Sequence, residues 1–81
     1  MDKKLQPTLI ALVKKLNKGT AEITPSTDLF EAGVLDSLTL IELVVSIEQE
    51  FKISLKYNDI QHAHFRTVEE LEKLLVSRYQ L

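Results

Sequence analysis

Few side chains in these 81 residues could do chemistry: Ser37 beside Asp36, and His62 and His64 two positions apart. A serine becomes a catalytic nucleophile only with a base in hydrogen-bond reach and a third group to orient that base. The two histidines have no orienting partner near them in the sequence, so a hydrolase-type site is not indicated. Two imidazoles without further clustered ligands also make a poor metal set, and both are expected in an exposed loop. There is no cysteine, which excludes disulfides and thiolate metal sites and gives no sign of an oxidising compartment. No glycine-rich phosphate loop is present, and catalytic carboxylate pairs cannot be told from surface charge. Ser37 remains. Asp36 can cap a helix starting at Ser37, which leaves the serine hydroxyl free. A helix start presents unpaired N–H groups and the positive end of the dipole, so a phosphate bonded to Ser37 would sit in a favourable field. The plainer alternative is that Ser37 is only a first-turn residue.

The elements that would position Ser37 follow from periodicity. Leu5, Leu9, Leu12, Val13 and Leu16 fall on one face of a helix over about Lys4–Asn17. Pro7 is tolerated there only in the first turn, and Asn17-Lys18-Gly19 is a stop signal. Residues 19–36 read as a long loop, with turn chemistry at Thr24-Pro25-Ser26 and Ala32-Gly33. Ile23, Leu29, Phe30, Val34 and Leu35 are placed to pin it to the core, and loops this long tend to be functional. A second helix is expected over about Ser37–Phe51, and a short turn or one-turn helix near Tyr57–Gln61. Thr67-Val68-Glu69-Glu70 fits a capping box for a last helix that carries Val68, Leu71, Leu74, Leu75 and Tyr79 inward. Arg78 suits its C-terminal dipole. No alternating strand is convincing; Phe51–Leu55 is too short. The expectation is an all-α bundle of three main helices plus a minor one, forming one domain over 1–81.

The second helix carries two apolar stripes. Leu40, Leu43, Val44, Ile47 and Phe51 make one core face. Leu38, Ile41 and Val45 make another about 130° away on a wheel of 100° per residue. Glu42 and Glu48 flank that second stripe. Burying both stripes would bring the glutamates to the border of a buried face, at a desolvation cost. The alternative is an apolar surface strip framed by acids, the composition of a protein contact site, beginning next to Ser37.

Charge supports this division. The net formal charge is −2, yet every charged residue from Asp28 to Glu50 is acidic, while Lys3, Lys4, Lys14, Lys15 and Lys18 lie toward the N-terminus. The acidic run is either an ordinary solvated face or a docking surface for basic partners. It disfavours nucleic acid, since phosphates need lysine and arginine and a recognition helix should be basic or neutral. The apolar run of the first segment is broken by Lys14 and Lys15, too short for a membrane span, and no signal-peptide cleavage pattern follows it. A cytoplasmic protein is expected. A chain this small has little room for a deep catalytic cleft.

The segment Asp28-Leu29-Phe30-Glu31-Ala32-Gly33-Val34-Leu35-Asp36-Ser37-Leu38 resembles the signature of acyl carrier proteins. The likeness continues through Thr39–Phe51 and, more weakly, through Ile53 and Thr67–Leu75. It implies a four-helix bundle with a long first loop. It implies that Ser37 takes a covalent 4′-phosphopantetheine arm from coenzyme A by the action of a phosphopantetheinyl transferase, with Asp36 helping the transferase and its magnesium ion engage the site. The arm would carry acyl or aminoacyl groups as thioesters, which gives a chain without cysteine access to thiol chemistry. Leu38, Ile41, Glu42, Val45 and Glu48 match the family positions that face partner enzymes. Those partners would be the transferase, a cargo-loading adenylating ligase or acyltransferase, and a downstream synthase or transferase, with the carrier itself a monomer and not an enzyme. Fatty-acid carriers commonly have an acid where Thr39 stands, are more negative overall, and lack the lysine-rich first helix. The stretch Phe30–Asp36 is nearer to stand-alone carriers of specialised pathways, of the aminoacyl, D-alanyl, polyketide or peptide-synthetase kinds. The alternatives are a housekeeping fatty-acid carrier and, in another class, a helical adaptor without a prosthetic group.

Overall fold

The computed structural model describes residues 5–16 and 22–81. In chain order these form α1 (Leu5–Leu16), α2 (Ser37–Phe51), a single 3₁₀ turn (Tyr57–Asp59), α3 (His62–Phe65) and α4 (Val68–Tyr79). There is no strand among the described residues, so the architecture is an all-α bundle. Helix α1 packs against α2 and α4, and the one-turn α3 packs against α4.

Each main helix follows from its sequence. In α1 the spacing of Leu5, Leu9, Leu12 and Val13 buries one face, and Pro7 sits in the first turn, where a missing N–H costs no helix bond. Lys14 and Lys15 in its last turn face the negative end of the dipole. Helix α2 ends at Lys52, which takes the left-handed conformation (φ 58°) and returns its N–H to the Glu48 carbonyl. Helix α4 starts at Thr67, whose Oγ1 accepts from the Glu70 N–H at 3.1 Å, and ends at the left-handed Gln80. Only this Thr67 half of the expected capping box forms. The expected helix ends at Lys4 and Asn17, and the Asn17-Lys18-Gly19 stop, lie outside the described residues.

The core gathers all the elements. Leu9, Val13, Leu43, Ile47, Phe65 and Leu71 are fully buried. Each such side chain contributes about 1.5–3 kcal/mol relative to exposure. The long loop is part of this core rather than a flap over it. Ile23, Leu29, Val34 and Leu35 are buried. The Leu29 N–H donates to the Arg66 carbonyl at 2.7 Å, and the Glu69 N–H donates to the Pro25 carbonyl at 3.1 Å. Asp28 Oδ1 caps the following turn by accepting from the Phe30 and Glu31 N–H groups. Gly33 closes that turn at φ +80°, a conformation that favours glycine although a β-carbon would meet nothing within 4 Å.

One expectation holds and one changes. The short turn expected near Tyr57–Gln61 forms as the 3₁₀ turn, which stops at Asp59; Ile60 breaks the run (φ −89°, ψ 80°), and a further helical turn begins at His62. The histidines therefore lie on α3 and not in a loop, because burying Phe65 requires that turn to coil toward the core. His62 stacks on Phe30 of the first loop, ring centroids 3.9 Å apart and 22° from parallel. His64 is half-buried.

Candidate functional site

Ser37 is the first residue of α2 and is exposed. Its hydroxyl makes no hydrogen bond to any described residue. The reason is the residue before it. Asp36 is extended (φ −142°, ψ −166°), and its Oδ1 accepts from the Leu38 N–H at 3.0 Å and the Thr39 N–H at 2.9 Å. With those donors satisfied by Asp36, Ser37 is not needed as a cap. Within the first turn only Ser37's own N–H lacks a bond to a described residue.

Thr39 completes the arrangement. Its Oγ1 accepts from the Asp36 N–H at 2.7 Å and donates to Asp36 Oδ1 at 3.0 Å. This is a capping box with threonine in the third helical position, where glutamate or glutamine is usual. The Asp36 carboxyl is held below its ordinary value, chiefly by the Thr39 N–H and next by the Thr39 hydroxyl; desolvation acts the other way, and the Leu38 N–H lowers it by less. In the sequence Thr39 stands out only as a departure from fatty-acid carriers. The spacing Asp-x-x-Thr was the signal that could have revealed its role.

The two stripes of α2 separate cleanly. Leu43, Val44 and Ile47 are buried, and Leu40 and Phe51 are half-buried against the core. Leu38, Ile41 and Val45 are 67%, 52% and 44% exposed. Glu42 is exposed beside them. Glu48, the other acid expected to flank this stripe, also has an internal partner. It is half-buried, and its Oε2 accepts from the Leu55 N–H at 2.9 Å, while its carbonyl accepts from Lys52 and Ile53. One oxygen of Glu48 therefore fastens the chain that leaves α2, which periodicity alone could not show.

A second polar cluster carries no signal in the sequence. Asp59 is only 4% exposed. Its Oδ2 accepts from the Tyr79 hydroxyl at 2.6 Å, and Oδ1 lies 3.5 Å from Arg78 Nε. The Tyr79 oxygen in turn accepts from the Lys56 N–H at 2.8 Å. Burial first, and then the Asp59 carboxylate, raises the Tyr79 phenol above its ordinary value. The cluster is closed upon itself and leaves no buried side-chain polar atom without a partner among the described residues. It ties the end of α4 to the 3₁₀ turn. Among the described residues there is no group of three or more acids, histidines or cysteines that could hold a metal ion. No described helix is long and apolar enough to cross a membrane.

A phosphopantetheine arm needs an accessible hydroxyl with no competing hydrogen bond, and Ser37 meets that requirement. Comparison with known proteins bears on the same site. Residues 7–75 match the family described as phosphopantetheine attachment site. Aminoacyl carrier protein 1 of Bradyrhizobium diazoefficiens is 31% identical over 75 residues, covering 89% of this chain and 82% of that protein. A D-alanyl carrier protein of Streptococcus pyogenes is 33% identical over 67 residues, covering 83% and 85%. Among solved structures, a chain from the crystal structure of Bradyrhizobium japonicum glycine:carrier protein ligase complexed with glycylated carrier protein superposes with a TM-score of 0.71. It shares 30% identity over 85% of this chain and 96% of that one. A match that spans nearly all of the helices, joined to a likeness to stand-alone carriers in both sequence and fold, establishes that this chain belongs to the carrier proteins whose covalent cofactor is 4′-phosphopantetheine.

Proposed function

We propose that this chain carries aminoacyl groups on a phosphopantetheine arm attached to Ser37, and that it has no catalytic activity of its own. The observation that carries this reading is the exposed Ser37 hydroxyl, left without a hydrogen bond because Asp36 caps α2 in its place. When bound, the arm supplies a terminal thiol that holds cargo as a thioester. The chain's own part is to hold the serine at the start of a rigid helix and to present a strip that partners can grip. Leu38, Ile41 and Val45 offer apolar contact area at that start, and Glu42 beside them favours a basic edge on the partner. The free oxygen of Glu48 adds to that field.

The loading partner we infer is an adenylating ligase for a small amino acid, because the relatives are named aminoacyl and D-alanyl carriers and the structural neighbour is bound to a glycine ligase. The further partners are the phosphopantetheinyl transferase and a downstream transferase that takes the aminoacyl group. The chain acts as one carrier domain over 1–81, as a monomer, in the cytoplasm, where coenzyme A and ATP are available. A role in housekeeping fatty-acid synthesis is the weaker alternative: Thr39 stands where an acid is usual, and Glu48 is partly engaged.

The test is intact mass after incubation with coenzyme A, magnesium and a broad-specificity transferase, run beside Ser37→Ala. Gain of one phosphopantetheine in the wild type alone is expected. A folded wild type that gains nothing beside an active control carrier returns Ser37 to a first-turn residue and favours an adaptor. Incubating the modified protein with ATP, glycine or D-alanine and a glycine or D-alanine ligase then tests the cargo. Loading by fatty-acyl transfer alone would overturn the aminoacyl assignment.

A further inference from the structure

Asp36 Oδ1 takes all the bonds that the carboxylate makes to described residues: those from the Leu38 N–H, the Thr39 N–H and the Thr39 hydroxyl. Oδ2 takes none. Asp36 is exposed, so this second oxygen stands available beside the reacting serine. Two backbone donors alone leave a carboxylate able to swing about its last bond, since that torsion is broad. The Thr39 hydroxyl resists that swing from the side-chain direction. It is itself fixed, because its oxygen accepts from the Asp36 N–H at 2.7 Å while its hydrogen points to Oδ1 at 3.0 Å. A hydroxyl bonded on both sides within one turn is a stiff support. It lies on the polypeptide's own helix, so it acts before any partner arrives.

We propose that Thr39 is a positioning residue for the modification of Ser37: by holding Asp36 through Oδ1, it keeps Oδ2 turned out beside the serine hydroxyl for the incoming transferase. The inference rests on the reading of Ser37 as the attachment point. In the transfer, Ser37 Oγ forms a bond to the phosphorus attached to pantetheine, and the P–O bond of the coenzyme A pyrophosphate breaks. Adenosine 3′,5′-bisphosphate leaves with the electron pair, and the serine proton passes to the transferase or to solvent. Thr39 touches none of these atoms and acts only through the geometry of Asp36. Small losses of alignment around a reacting group are costly, with about 100-fold possible for a displacement near 1 Å. A loosened carboxylate at an exposed site should cost less, roughly tenfold.

The experiment measures the rate of phosphopantetheine gain by intact mass at several magnesium and carrier concentrations. It uses wild type, Thr39→Val, Thr39→Ser, Asp36→Ala and the double variant Asp36→Ala/Thr39→Val. Valine keeps the shape of threonine and removes only the hydroxyl. The expected result is a roughly tenfold fall in kcat/KM for Thr39→Val, recovery in Thr39→Ser, and no further fall when Thr39→Val is added to Asp36→Ala. A helix start that is merely less stable would slow the double variant below Asp36→Ala and would show as lost helical circular dichroism. Equal rates for wild type and Thr39→Val, or additive losses in the double variant, overturn the proposal. Failure of the wild type itself to gain the arm overturns instead the assignment of Ser37.

Discussion

Two carboxylates show how differently this small chain holds its buried and its exposed acids. Asp36 is exposed, and its side-chain partners lie two and three residues away on its own helix. Asp59 is buried, and its tyrosine partner is twenty residues away. The first arrangement completes itself locally and leaves the surface around Ser37 clear. The second depends on two remote segments meeting, and so reports on the whole fold. A carrier must be gripped by several partners without unfolding. Local bonds around Ser37 and long-range bonds elsewhere serve both needs. The same division runs along α2, where Ile41 faces solvent and Leu43, two residues on, is completely enclosed.

The largest expected effect comes at the exposed site and is purely chemical. Ser37→Ala should abolish gain of the arm while leaving the helical circular dichroism unchanged, because no described residue bonds to that hydroxyl. Loss of helix in this variant would mean that Ser37 has a structural part. Next comes the contrast within α2. Leu43→Ala should cost about 2–5 kcal/mol in denaturant unfolding. Ile41→Ala should cost no more than about 0.5 kcal/mol but should slow loading by the ligase. Equal costs would erase the distinction between the two stripes.

In the buried cluster, Tyr79→Phe removes the donor to Asp59 and the acceptor for Lys56. Leaving Asp59 with Arg78 alone should cost about 1–3 kcal/mol, with no effect on modification of Ser37. The wild-type phenol is raised above its ordinary value, so its contribution is complete below that value and is lost as pH rises through the folded one. Alkaline unfolding that is steeper in wild type than in Tyr79→Phe would show this. Asp36 behaves with the opposite sign. Its lowered pKa means that the cap contributes fully above the ordinary carboxylate value of 3.8 and is lost as pH falls through the folded one. Acid titration of the Leu38 and Thr39 amide resonances would follow it, and a cap that breaks at or above 3.8 would contradict the geometry. The smallest effect belongs to Glu42→Lys. It should slow partner docking several-fold at low salt and little at high salt, since the group is exposed and screened.

Much of this was legible in the sequence, for a physical reason. Helix periodicity, the Asp36 cap and the presence of two apolar stripes on α2 depend on residues two to eleven positions apart, and a chain fixes such relations by its backbone alone. The resemblance carried by Asp36-Ser37-Leu38 and its flanks reached the family as well. The Thr39 half of the capping box was equally local and could have been read. Other features were closed to any local reading. Periodicity gives α2 two candidate core faces, and packing against α1 and the shared core decides that Leu43 and not Ile41 lies inside. The stack of His62 on Phe30 and the bond of Tyr79 to Asp59 join residues 32 and 20 positions apart. Nothing in either segment specifies such a meeting; it exists only once the shared core has brought both ends together.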